Sequence, residues 1–120
     1  MEHITGIDHV QLAMPVGAEE QARRFYSGVL GLAEIAKPAV LAVRGGAWFQ
    51  CGNAQLHLGA DPAFQPAKKA HPALVVADFA MYAALLEDHG VTLQPEETVG
   101  GRLRATLFDP FGNRIELIAA

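Results

Sequence analysis

The sequence predicts one domain that mixes α and β structure and is assembled from two similar halves. Three observations carry this prediction. Each half reads as an alternating strand, an amphipathic helix and then several short β runs. The ends of the halves overlay: His9-Val10-Gln11-Leu12 falls on His71-Pro72-Ala73-Leu74. Gly52-Asn53-Ala54-Gln55-Leu56-His57-Leu58 falls on Gly112-Asn113-Arg114-Ile115-Glu116-Leu117 once one residue is deleted from the first. Both helices also stop at a glycine followed by an apolar residue, Gly31-Leu32 and Gly90-Val91. The first half is expected over about 1–60, a connector over 61–70 and the second half over about 71–120.

In the first half, Ile7 to Met14 puts Val10, Leu12 and Met14 on one strand face and His9, Gln11 and Ala13 on the other. Glu19 to Leu30 follows as a helix, with Ala22, Phe25, Tyr26 and Val29 at helical spacing and two acids in its first turn. Strands are expected at Ala33 to Ala36, Ala39 to Arg44 and Ala54 to Gly59, with Trp48 to Cys51 as a further strand segment or a turn. Two prolines and two lysines mark Asp61 to Ala70 as the exposed connector. The second half restarts with a strand at Pro72 to Val76 and a helix at Phe79 to His89. Leu93, Leu103 to Phe108 and Asn113 to Ile118 supply its remaining strands, with Asp109-Pro110-Phe111-Gly112 as a tight turn.

Composition narrows the function. With 120 residues, 51% apolar and 18% charged, the chain suits one globular core. Its net charge of −4 and lack of any basic run beyond Lys68-Lys69 argue against nucleic-acid binding. No apolar run approaches a membrane span, and the first residues lack the form of a signal peptide. A single cysteine, Cys51, leaves no intrachain disulfide to form and suits a reducing cytoplasm.

Four polar residues recur at matching repeat positions. His9 and His71 open the first strand of each half, while His57 and Glu116 lie in the last strand of each. Alternation sets each opposite its apolar neighbours, so all four are expected on the concave side of their sheets. Imidazole nitrogens and a carboxylate oxygen suit Zn, Ni, Fe, Mn or Co, and a site with open positions polarises a bound oxygen or activates water. Any one of these histidines alone reads more readily as a hydrogen-bonded structural residue; recurrence gives the set its force. His3 and His89 fall outside the pattern.

Other residues join as substrate contacts. Gln11 shares a face with His9, and Trp48 and Phe49 follow a glycine pair as candidate cleft walls, although aromatics there serve equally as core. Arg102 and Arg104 share a face and suit an anionic substrate group, with a solvated edge the plainer reading of Arg102. Arg114 has the parity to orient Glu116 or to pair with Asp109. Cys51 lacks a cationic neighbour in sequence and reads as a packing residue.

Three segments carry a resemblance: Ile7-Asp8-His9-Val10-Gln11-Leu12, Phe25-Tyr26-Ser27-Gly28-Val29-Leu30-Gly31-Leu32 and Asp109-Pro110-Phe111-Gly112-Asn113-Arg114-Ile115-Glu116-Leu117. On these the chain resembles the vicinal oxygen chelate superfamily of glyoxalases, bleomycin-resistance proteins and extradiol dioxygenases. The resemblance implies an α+β fold of two tandem βαβββ modules forming a curled mixed sheet around a cleft. It places His9, His71 and Glu116 at the common ligand positions and His57 at the fourth. It also implies a homodimer, many small members completing each site with strands from both subunits.

The expected activity is that of a metal-dependent lyase, isomerase, dioxygenase or transferase acting on a small oxygenated substrate chelated to the ion. Glu116 and His57 are the expected catalytic residues, with His57 either a fourth ligand or a base. The rival expectation is a non-catalytic protein that binds an antibiotic or other small molecule in the same cleft.

Overall fold

A computed structural model describes residues 2–120. The chain forms two compact units, one ending at Phe64 and the other spanning Gln65–Ala120. The first unit contains β1 (His9–Met14), α1 (Glu19–Arg23) continued by a π-helical segment (Arg24–Val29), β2 (Ala33–Ile35), α2 (Ala39–Ala42), β3 (Ala47–Cys51) and β4 (Ala54–Ala60). The second contains β5 (Ala73–Val76), α3 (Phe79–Asp88), β6 (Gln94–Pro95), β7 (Arg104–Phe108) and β8 (Arg114–Ala119).

Each unit owns a four-stranded mixed sheet. Their orders are β1-β4-β3-β2 and β5-β8-β7-β6, so the same topology appears twice. In both, the first strand runs parallel to the last, and the remaining pairings are antiparallel. The parallel pairings place Gln11 opposite His57 and Ala73 opposite Glu116. His9 and His71 therefore each stand two residues ahead of the residue that faces the other candidate ligand of its unit.

The apolar positions behave as alternation requires. Leu12 and Met14 of β1, Ala47 and Phe49 of β3 and Leu56 and Leu58 of β4 are buried with Ala22, Phe25, Tyr26 and Leu30 of the helix. In the second unit Ala105, Leu107, Ile115 and Leu117 are buried with Val76 and Leu86. Burial of the larger of these side chains, such as Leu56, Met14 or Ile115, contributes about 1.5–3 kcal/mol each.

Two local features depart from the sequence reading. Ala39 to Arg44, expected as a strand, begins instead as α2, where Leu41 and Ala42 donate to the Pro38 carbonyl. A short continuous apolar run has no periodicity to separate helix from strand, and this run satisfies its backbone locally rather than in a ladder. The helix expected over Glu19 to Leu30 changes to π geometry after Arg23, with Leu30 N–H donating to the Phe25 carbonyl. The adjacent Phe25 and Tyr26 are both buried there, edge to face with centroids 5.1 Å apart.

The turn before β8 explains the Asp109-Pro110-Phe111-Gly112-Asn113 motif. Asp109 Oδ1 accepts from the backbone N–H groups of Phe111 (2.9 Å) and Asn113 (2.8 Å), and Asn113 Nδ2 donates to Asp109 Oδ2 at 2.9 Å. Asn113 Oδ1 also accepts from Ala67 N–H at 3.1 Å, and Arg114 N–H donates to the Ala67 carbonyl at 2.9 Å. Gly112 has φ +91°, and a Cβ there would meet Pro66 at 3.3 Å. The turn thus fixes where β8 starts and so where Glu116 falls. Asn113→Ala removes the Asn113 side-chain bonds to buried Asp109 and to Ala67 N–H, and we expect a loss of about 2–3 kcal/mol in urea unfolding with an unchanged slope. A loss below about 0.5 kcal/mol would show that the turn is held by other means.

Candidate functional site

In the first unit the site is a column of three rings. The His57 imidazole lies between the Trp48 indole, at 3.9 Å and 3° from parallel, and the His9 imidazole, at 4.3 Å and 11°. Register builds this column: Trp48 pairs with His57 across β3 and β4, and His9 reaches back along β1 from Gln11. Asp8 Oδ2 lies 2.9 Å from His9 Nδ1, and Gln55 Oε1 lies 2.9 Å from His57 Nε2. His57 is only 3% exposed. Burial strips water from its charged form and His9 adds repulsion, so its pKa is lowered.

In the second unit the site is built on an ion pair. Arg104 donates from Nε to Glu116 Oε2 and from Nη2 to Oε1, both at 2.8 Å, and from Nη1 to the Glu97 carbonyl at 3.1 Å. His71 Nδ1 lies 2.8 Å from the Lys69 carbonyl, and its Nε2 lies 3.4 Å from Glu116 Oε1. The Arg104 hydrogen bonds hold the Glu116 carboxyl below the usual carboxylate range, assisted by His71 and opposed by burial. Thr106 faces Glu116 across β7 and β8, and its buried hydroxyl has no hydrogen-bond partner among the described residues.

The expected residues thus divide into two pairs, His9 with His57 and His71 with Glu116. Among the described residues no three His, Cys, Asp or Glu side chains gather as a metal cluster. Phe49, expected as a cleft wall, is fully buried and stacks on Tyr26 at 5.4 Å, because alternation turns it away from the Trp48 face. Arg104, expected to grip substrate, has its guanidinium committed to Glu116 and Glu97, and Arg102 donates to the Ala119 carbonyl at 2.7 Å. Arg104 rather than Arg114 orients Glu116. Asp8, Gln55 and Thr106 escaped the sequence reading, since nothing in residue type marks a polar side chain as a partner of a neighbouring one. Burial pushes the Cys51 thiol pKa up, in keeping with packing.

Tested against a divalent ion, three of the four donors fit. His9 and His71 both direct Nδ1 at an oxygen acceptor, which in the neutral ring leaves the Nε2 lone pair for a metal. Two donors at bond lengths near 2.1 Å, in tetrahedral or octahedral arrangement, stand roughly 3.0–3.4 Å apart. The His71–Glu116 separation of 3.4 Å meets that, and each carboxylate oxygen retains lone-pair capacity beyond its bond to Arg104. His57 fits less well. A metal lies in the plane of the imidazole that binds it, and rings stacked like His9 and His57 share no such plane near both nitrogens.

These features, in two units of matching topology, define a protein whose repeat places a histidine pair on one sheet and a histidine–carboxylate pair on the other. The family model for the Glyoxalase/Bleomycin resistance protein/Dioxygenase superfamily matches residues 6–117, and the chain belongs to this family. A glyoxalase-family protein from Bacillus anthracis is 44% identical, with a TM-score of 0.97 over 99% of this chain and 98% of that one. Two more distant structures share the fold. Lactoylglutathione lyase from Agrobacterium tumefaciens is 18% identical (TM-score 0.77, 99% of this chain and 96% of that one). The antibiotic binding protein TnmS3 from Streptomyces sp. CB03234 is 24% identical (TM-score 0.76, 99% and 98%). A comparison with curated proteins finds no match. The family therefore includes both enzymes and binders of small molecules. No helix among the described residues is long and apolar enough to cross a membrane.

Arg104→Gln tests the electrostatics. Because the folded carboxyl of Glu116 has a lowered pKa, its contribution to stability is present above the unfolded value of about 4.3 and is lost as pH falls through the folded one. We expect the Glu116 carboxyl resonance of the variant to titrate at higher pH. The stability gap between parent and variant should be open at pH 7 and close in acid below the ordinary carboxylate range. A gap independent of pH would assign the effect to packing.

Proposed function

We propose that the chain is a metal-dependent enzyme of the glyoxalase and dioxygenase type acting on a small oxygenated molecule. The observation that carries this reading is the His71–Glu116 pair, whose donors have a ligand-like separation and whose imidazole Nδ1 is already directed at a carbonyl. His71, Glu116 and His9 would hold the ion, one of Zn, Ni, Fe, Mn or Co, with His57 at the fourth position or beside it. A bound ion of this kind supplies Lewis acidity to the substrate oxygens that it chelates.

The chain's own residues do the rest. His57, braced between two rings, serves as a proton carrier through Nδ1, the nitrogen that Gln55 leaves. Glu116 acts as the catalytic carboxylate, kept ionised by Arg104. Gln11 and Trp48 contact substrate. The proposed assembly is a homodimer, the histidine pair of one copy joining the His71–Glu116 pair of the other, in a reducing cytoplasm. Either pair alone has too few donors for a catalytic metal site. A second reading, a binder without catalysis, is favoured by one observation: Arg104 already neutralises Glu116 in full.

Metal analysis of protein purified without chelators is expected to find about one transition-metal ion per chain, lost in both His71→Ala and Glu116→Ala. Mixing and reassociating His9→Ala with His71→Ala should restore about one ion per four chains, since half of the dimers regain one intact site. No metal after incubation with Mn, Fe, Co, Ni and Zn would discard the enzyme in favour of the binder. Metal in the parent without restoration on mixing would discard the shared site.

A further inference from the structure

The first unit contains a pocket of about 170 Å³ that none of the candidate metal ligands lines. Its walls include Gln11, Lys37, Leu41, Arg44 and Trp48, and no aspartate or glutamate is among its lining residues. That local sign is opposite to the chain's overall charge of −4. Lys37 Nζ donates to the Gly45 carbonyl, which sets the ammonium at the pocket, and the Lys37 charge is felt at His57. The Glu19 carboxylate approaches Gly45 but accepts from Gly46 N–H at 2.8 Å and does not line the pocket. Gly59 makes room for the Gln11 amide: a Cβ at Gly59 would come within 2.5 Å of Gln11 Nε2.

We propose that this pocket receives the anionic group of a small organic acid, a carboxylate, phosphonate or phosphate ester. Lys37 and Arg44 bind its charge, the Gln11 amide bonds an oxygen, and Trp48 and Leu41 face its carbon skeleton. The volume lies below the roughly 300–1,000 Å³ of drug-sized sites and suits a small acid head group. The inference names the substrate class for the proposed enzyme and rests on that reading for what becomes of the acid; binding of the acid itself needs no metal.

Trp48 is the only tryptophan, so its fluorescence reports on the pocket directly. Metal-stripped protein is titrated with phenylphosphonate, neutral benzyl alcohol and cationic benzylamine. Phenylphosphonate is expected to change the emission saturably, about tenfold or more tighter than benzyl alcohol, with benzylamine silent. The Lys37→Gln/Arg44→Gln double variant should weaken phenylphosphonate about tenfold or more, whereas Lys37→Arg and the connector variant Lys68→Gln retain it. Raising KCl from about 0.05 to about 0.5 M should weaken it as well. Equal affinity for anion and neutral, no saturable change with any probe, or a double variant that binds like Lys68→Gln overturns the proposal. Metal content measured on each preparation before stripping separates the two readings: intact metal with failed anion binding removes the substrate class alone.

Discussion

In each unit the first strand lies parallel to the last, and every functional side chain depends on the register of that pairing. Side chains alternate with a period of two, so the register that buries Leu56 and Leu58, or Ile115 and Leu117, also commits His57 and Glu116 to the other face. A slip of one residue would exchange the two sets, burying charge beneath the helix at prohibitive cost. Folding of the core and placement of the polar pairs are consequently one event. In the second unit the register is anchored by the Asp109–Asn113 turn and its bonds to Ala67.

On this common scaffold the two units use different chemistry. The position facing the last-strand residue is Trp48 in the first and Thr106 in the second. An indole offers a flat apolar face on which His57 is stacked and buried, and burial disfavours its charged form. In the second unit Arg104, two residues before Thr106 on β7, pairs with Glu116. Repeat symmetry is thus kept in the backbone and broken in the side chains, and the divergence lets one unit present π faces and cations while the other presents a carboxylate.

The repeat and most of the strand and helix order were legible because they rest on alternation and on glycine stops, both written locally, whereas the four candidate donors, expected as one set, stand as two pairs on two sheets. The Ala39–Ala42 helix was not, since its apolar run lacks a period. The π-helical segment after Arg23 also left no mark, as the residues that form it suit an ordinary helix. Phe49 and Trp48 looked equivalent as neighbouring aromatics; only the pleat assigns one to the core and the other to the site. Arg104 was recognised as a cation facing the site, but its partner lies on another strand, and a pairing decided by three-dimensional reach has no trace in sequence spacing.

The ring column in the first unit bears on how long a ligand stays. Trp48, His57 and His9 restrain one another before any ligand arrives, and Gln55 and Asp8 hold the imidazoles by their edges. The rotational freedom that a loose aromatic wall would surrender on contact has already been given up during folding. A molecule settling against Trp48 therefore meets a surface that neither adapts to it nor loses entropy to it. Against this wall, ligands of the same charge would be told apart by shape, and differences among them should appear mainly as residence time rather than as rate of arrival.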